Sequence, residues 1–404
     1  MGHSHGGGHS HGEPIPLADR VTQMVWIVVG VCTAVVVLGL VLLWPRGADP
    51  VSVDPLGLES DPVAVEVTSR DVAPCSYDPL LGCLQYEIMP TEGELEGQRL
   101  TFEQSIESTI GEGDRILVLI DTFPDGTRSI VFYDFERGTP LLLLTLLFVT
   151  AILVLGGWRG LGALAGLAMS LFVIVAFALP ALLDGSNAVV VALVASGAIA
   201  VVALLLAHGF NVATAVALLS TLAALGVTGI LAWIFVWSSN FTGLTDETVG
   251  YLDLLGTPVD PRGLLLAGIL IGSLGVLDDV TVTQVSAVWE LKRAKPDAGA
   301  VELYRRGVRI GRDHISSTVN TLVLAYAGAA LPLLLLFQEA GQSLGSVATR
   351  EIVAVEVVRA LVGSIGLVSA VPISTLLAAR IVAGAELPSV DHGPDHPSEP
   401  ASPG

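Results

Sequence analysis

Seven residues spaced 4, 3, 4, 4, 3, 4 lie in one strongly apolar stretch: Gly268, Gly272, Gly275, Asp279, Thr283, Ser286 and Glu290. That repeat stacks side chains on one face of a helix. An acid inside a membrane-spanning helix costs about 2.5–3.5 kcal/mol on insertion scales. Asp279 is therefore expected to face protein or water. A carboxylate beside hydroxyls can hold a cation or a proton, and Thr283 and Ser286 would line its path. The competing reading is an interhelical hydrogen bond or ion pair that holds a bundle together. Asp278 falls about 100° around the helix from Asp279, so the two are not the facing acids an intramembrane aspartyl protease needs.

Two other apolar segments offer companions. Glu356, Arg359, Gly363, Gly366 and Ala370 repeat the spacing, and Glu356 and Arg359 can pair at i, i+3. Pro372 follows in the same segment and removes a backbone hydrogen bond, which predicts a kink. Asn320 needs a partner inside its span, either another helix or a ligand. The transport-path candidates are thus Asp279, Thr283, Ser286, Asn320, Glu356 and Arg359. At the N-terminus, His3, His5, His9 and His11 on a flexible Gly/Ser chain can wrap a divalent metal such as Zn²⁺, Ni²⁺ or Cu²⁺ weakly. No nucleotide-binding loop, Ser-His-Asp order or His-Glu-x-x-His is present. We expect no enzyme, and no cofactor beyond that weak metal.

The elements that must position these residues follow from composition. The chain has 404 residues, 52% hydrophobic and 14% charged, with a mean hydropathy of +0.71. That is the composition of a polytopic membrane protein. Apolar runs cover about 21–44, 139–157, 160–183, 187–206, 212–237, 262–290, 314–338 and 351–381, which predicts eight spanning helices. The net charge of −20 is uneven: residues 46–137 hold 19 Asp and Glu against 6 Arg. Alternating stretches at Val63–Thr68, Arg115–Ile120 and Ser129–Tyr133 predict strands there, in a small sheet or OB-like barrel. The polar stretch 92–107 gives no assignment. An acidic surface excludes nucleic acid as a partner.

The expected fold is an all-α membrane bundle with a small β-rich extracytoplasmic domain. Its parts are a His/Gly-rich tail (1–20), a first span (21–44), the acidic domain (45–138), a seven-helix domain (139–381) and a polar tail (382–404) that cannot bury a core. The segment 291–313, read as a loop that can include an interfacial helix near Val301, Tyr304 and Val308, carries seven Lys and Arg against three acids. The positive-inside rule puts it, and both termini, in the cytoplasm. The acidic domain then lies outside, where Cys75 and Cys83, closing a short Pro/Gly turn, read as a disulfide. Cys32 reads as a packed side chain in a helix.

Several runs carry a family resemblance. Gly272-Ser-Leu-Gly-Val-Leu-Asp-Asp-Val280 with Ser286-Ala-Val-Trp-Glu-Leu291 resembles the central signature of the YibE/F-like bacterial membrane proteins. Gly311-Arg-Asp313, Asn320-Thr-Leu-Val-Leu-Ala-Tyr326, Leu331-Pro-Leu-Leu-Leu335, Arg359-Ala-Leu-Val-Gly-Ser-Ile-Gly366 and Val371-Pro372 resemble it too, as do Gly209-Phe-Asn211 and Thr245-Asp-Glu247. The likeness covers about 140–380. It implies a permease-like group without an assigned substrate, and puts Asp279 and Glu290 on the family's acidic positions. Asp278 departs from the pattern, which has an apolar residue there. The expected function is a permease or channel for a small ion or solute in a bacterial plasma membrane. The alternative is a non-transporting sensor or assembly scaffold. The expected partners are the lipid bilayer and a second copy of the chain or an envelope protein.

Overall fold

A computed structural model describes residues 15, 17–47, 61–76, 78, 80–93, 95–123, 127–244, 259–341 and 343–385. His3, His5, His9 and His11 and the tail beyond Ala385 lie outside the described residues. Two compact units are present, Asp49–Leu155 and Met1–Ala48 with Gly156–Gly404.

In the first unit, alternating apolar and polar residues make five antiparallel strands. They are β1 (Val63–Pro74), β2 (Gly82–Pro90), β3 (Leu100–Ser105), β4 (Arg115–Thr122) and β5 (Arg128–Phe135). Their order is β3-β2-β1-β4-β5. The inward residues Val65, Val67, Leu84, Tyr86, Ile88, Phe102, Ile116 and Val118 form one core with Ile110. Tyr86 is fully buried because its ring stacks 5.2 Å from Phe102 and its hydroxyl donates to the Ile110 carbonyl at 3.2 Å. Register shifts between Val67 and Ser69 and between Leu117 and Val118 bend the sheet. The edges β3 and β5 thereby approach each other and make a near-barrel. The expected strand stretches lie in β1, β4 and β5, and β3 lies within the unassigned 92–107. Cys75 and Cys83 form a disulfide across the β1–β2 turn, where the Cys75 amide donates to the Leu81 carbonyl.

The helices are α1 (Asp19–Leu42), α2 (Gly138–Trp158), α3 (Gly160–Leu183), α4 (Ala188–His208), α5 (Val212–Ser238), α6 (Pro261–Ala294), α7 (Ala300–Ala329), α8 (Leu331–Glu339), α9 (Leu344–Ala348) and α10 (Glu351–Val382). The break between α2 and α3 falls at Gly157, whose φ of 52° a side chain would strain. Seven helices are long and apolar enough to cross a membrane, and α7 with α8, bent by 59°, makes an eighth such segment. Pro332, second in α8, has no amide to continue the ladder at that bend. By contrast, α10 continues through Pro372.

One expectation is corrected here. The segment 291–313 is not a loop, because α6 runs to Ala294 and α7 begins at Ala300. Leu303, Gly307 and Gly311 are buried along one side of α7, while Arg305, Arg306, Arg309 and Arg312 are exposed on the other. The helix expected near Val301, Tyr304 and Val308 is therefore the start of a longer amphipathic one.

Local signals start these helices. Asn187 caps α4 by accepting from the Val189 and Val190 amides, and Asn211 caps α5 through the Thr214 amide. Asp260 caps α6, with Pro261 at its first position. α6 is the central element, packed against α4, α5, α7 and α10. That placement gives it two faces with different surroundings.

Candidate functional site

The seven-residue stripe lies together, and all seven residues are exposed along one side of α6. The Asp279 side chain is 70% exposed. Its neighbours come from α7 and α10. Asp279 Oδ2 lies 3.9 Å from Nε2 of His314 on α7. A Cβ at Gly272 would lie 3.9 Å from the Tyr326 hydroxyl, and one at Gly268 would lie 3.9 Å from Nη2 of Arg359 on α10. Arg359 donates to Glu356 at 2.7 Å, the i, i+3 pair its spacing allows. The result is an open groove, floored by glycines and hydroxyls and walled by an imidazole, a phenol and an ion pair.

Two wall atoms, His314 Nε2 and Arg359 Nε, are buried without a hydrogen-bond partner. Buried polar atoms left unpaired cost free energy, so they are the atoms a bound ion or solute would satisfy. Thr283 and Ser286 are exposed on the stripe below Asp279. Asn320 is exposed on α7. Glu290, at the far end of the stripe, pairs with Arg293 at 2.5 Å.

The opposite side of α6 is buried and also polar, a set the sequence reading did not single out. Ser273, Thr281, Gln284 and Lys292 are buried there, and Asp278 lies against α5 beside Thr221. Thr221 and Thr281 hydroxyls sit 2.6 Å apart between α5 and α6. Gln284 Nε2 donates to the Gly307 carbonyl of α7 at 2.7 Å and to Thr375 Oγ1 of α10 at 2.8 Å. A Cβ at Gly307 would lie 2.7 Å from Thr375 Cγ2, so glycine is what permits this three-helix junction. Lys292 is 3% exposed. Its Nζ donates to the carbonyls of Pro296 (2.6 Å), Ala383 (3.1 Å) and Ala298 (3.4 Å).

A signal for this second face was available. Thr281, Gln284, Val288 and Lys292 follow a 3, 4, 4 spacing, and α5 carries Thr214, Thr221 and Thr228 at intervals of seven, all three buried.

The near-barrel has its own cleft of about 480 Å³, lined in part by Ser76, Gln85, Thr101, Glu103, Arg128 and Ile130. Hydrogen bonds from the Ser76 hydroxyl and amide hold the Glu103 carboxyl below the usual range. No group of three or more His, Cys, Asp or Glu suited to a metal occurs among the described residues.

Comparison with known proteins gives one match. The profile of the family described as YibE/F-like protein matches residues 144–384. No curated protein and no solved structure matches.

Proposed function

The chain belongs to the YibE/F-like family, and from that premise we propose that it is a multi-pass membrane permease or channel for a small ion or solute. The groove along α6, between α7 and α10, is the path, and Asp279 is the group that binds the coupling cation or proton. The observation that carries this reading is an exposed carboxylate at the depth of a span, with His314 Nε2 at 3.9 Å and with wall atoms that lack a hydrogen bond. Asp279 lies 18 residues into α6, about 27 Å along its axis at 1.5 Å per residue. A charge at that depth is tolerated where it meets water or protein.

The lysine and arginine bias supports a bacterial plasma-membrane location with both termini inside and the near-barrel outside. The groove works by binding and release, without covalent chemistry. The test is flux of protons, monovalent cations and Zn²⁺ in proteoliposomes, with Asp279→Asn beside the native protein. Flux that disappears in a variant of unchanged thermal stability supports the path. Absence of flux under every condition, with Asp279→Asn acting only on stability, sinks it.

A second reading is favoured by the polar cleft on the near-barrel. There the protein is a sensor or assembly scaffold whose outer domain binds an envelope partner, or which pairs with a second copy.

A further inference from the structure

We propose that Asp278, half-buried in the seam between α5 and α6, is a proton-binding site separate from the groove that holds Asp279. The inference goes beyond the transport reading, because proton occupancy is defined whether or not the protein moves a solute.

Hydrogen accounting carries it. Asp278 Oδ1 is buried and has no hydrogen-bond partner. The hydroxyl that faces the carboxyl is that of Thr221. Thr221 and Thr281 hydroxyls share a 2.6 Å bond. Thr221 Oγ1 also lies 3.1 Å from the Ala217 carbonyl and Thr281 Oγ1 3.1 Å from the Asp278 carbonyl. Those three contacts draw on the two hydroxyl hydrogens, so one reaches the carboxyl only by giving up a contact it already has. An ionised carboxylate only accepts and would add an unmet demand at the buried Oδ1. A carboxylic acid brings its own hydrogen and can donate to Thr221 Oγ1, which has lone pairs to accept it.

Among the described residues, no compensating charge is placed in the seam. α5 contains no charged residue, and the one titratable residue of α4 is His208 at its C-terminal end. On α6, Asp279 lies on the exposed side. On α7, His314 is nearest to Asp279. On α10, Arg359 pairs with Glu356, and Arg380 is exposed. The core of these helices is otherwise apolar or uncharged, with Leu218, Leu225, Leu274, Leu277 and Val280 beside the buried Ser220, Ser273 and Gln284. A metal cation is disfavoured, because the 2.6 Å hydroxyl–hydroxyl contact is a hydrogen bond and leaves no room for an ion between the two oxygens.

The test is infrared spectroscopy of the full chain in lipid at neutral pH, reading the carbonyl stretch of a protonated carboxylic acid. The band is expected in the native protein and in Asp279→Asn, and absent in Asp278→Asn, whose amide keeps a hydrogen to donate. Thr221→Val removes the acceptor and should move the band to higher frequency. Identical spectra for native protein and Asp278→Asn overturn the proposal. So does a band that vanishes when sodium replaces a bulky organic cation, since a metal ion is then the occupant. Should Asp278→Asn not fold, isotope-labelled aspartate in the native and Thr221→Val proteins gives the same reading, and an unmoved band overturns it.

Discussion

Lys292→Met tests how the basic end of α6 is held. The native ammonium is buried and meets three carbonyls, two at 2.6 and 3.1 Å and a weaker one at 3.4 Å. Pro296 and Ala298 belong to the connection after α6, and Ala383 is the C-cap of α10. One side chain thus closes the C-terminal ends of two helices, where the backbone dipoles favour a cation by about 0.3–1 kcal/mol each. The two shorter hydrogen bonds to a charged donor contribute about 1.5–3 kcal/mol each. Removing the ammonium also recovers its burial cost, which is several kcal/mol. The difference is a net loss of about 2–3 kcal/mol, a fall of roughly 30- to 150-fold in the folded-to-unfolded ratio. Equilibrium unfolding in mixed micelles measures the total. Hydrogen exchange measures the place: amides from Ala378 to Ala385 and in the connection after α6 should open first, with the near-barrel unchanged. Lys292→Arg should fall between, because a guanidinium is too wide for the same three carbonyls. A Lys292→Met protein within about 0.5 kcal/mol of native, the range of ordinary surface changes, refutes the reasoning. So does exchange that rises evenly over the chain.

Gly366→Ala would press its Cβ into the Thr228 side chain of α5; the expected cost is about 1–3 kcal/mol, and Thr228→Ala in the same chain should return most of it, read as coupling in a double-mutant cycle. In the near-barrel, the Arg137 guanidinium first, and then the Phe135 amide, hold the Asp134 carboxyl below the ordinary value of about 3.9. A lowered folded-state value gives stability that is present above the unfolded value and is lost as pH falls through the folded one. Protection of the Phe135 amide, relative to its intrinsic exchange rate at each pH, should therefore fall on acidification below about pH 4, and Asp134→Asn should flatten that fall; an unchanged acid response in the variant would contradict the assignment.

Spacing disclosed which residues of α6 travel together but not which way they face. The stripe through Asp279 is a true face of the helix, and it is the side left open by α4, α5 and α10. The reason lies in the solvent. Lipid is as apolar as a neighbouring helix, so the hydrophobic pattern does not separate inside from outside as it does in water. Polar residues were the remaining clue, and α6 has them on both sides. The buried threonines escaped notice because Thr221 and Thr228 return their hydroxyls to carbonyls four residues back, at Ala217 and Ala224. A threonine satisfied this way leaves no partner to look for. Lys292 was counted with loop cations because Arg293 and Lys295 surround it in sequence, although its position in the 3–4 pattern marks the buried side. The strand β3 went unassigned for a simpler cause: Phe102 is its one buried residue, set among Thr101, Glu103 and Gln104. Val301, Tyr304 and Val308 mark a helix at the start of α7, but not its continuity with the span, because Gly307 and Gly311 pack well yet add little hydrophobicity.

The Cys75–Cys83 bond also bears on the order of events as the chain is made. Three cysteines allow three pairings, with partners eight, 43 or 51 positions apart. The native pair is the nearest in sequence and spans one hairpin turn. Closing a short loop costs less entropy than closing a long one, so the hairpin selects its partner before any helix after Gly138 exists. Cys32, set within α1, enters a segment that is already helical over its own backbone bonds. Correct oxidation is then a local decision taken early in synthesis, and it does not wait for the bundle to assemble.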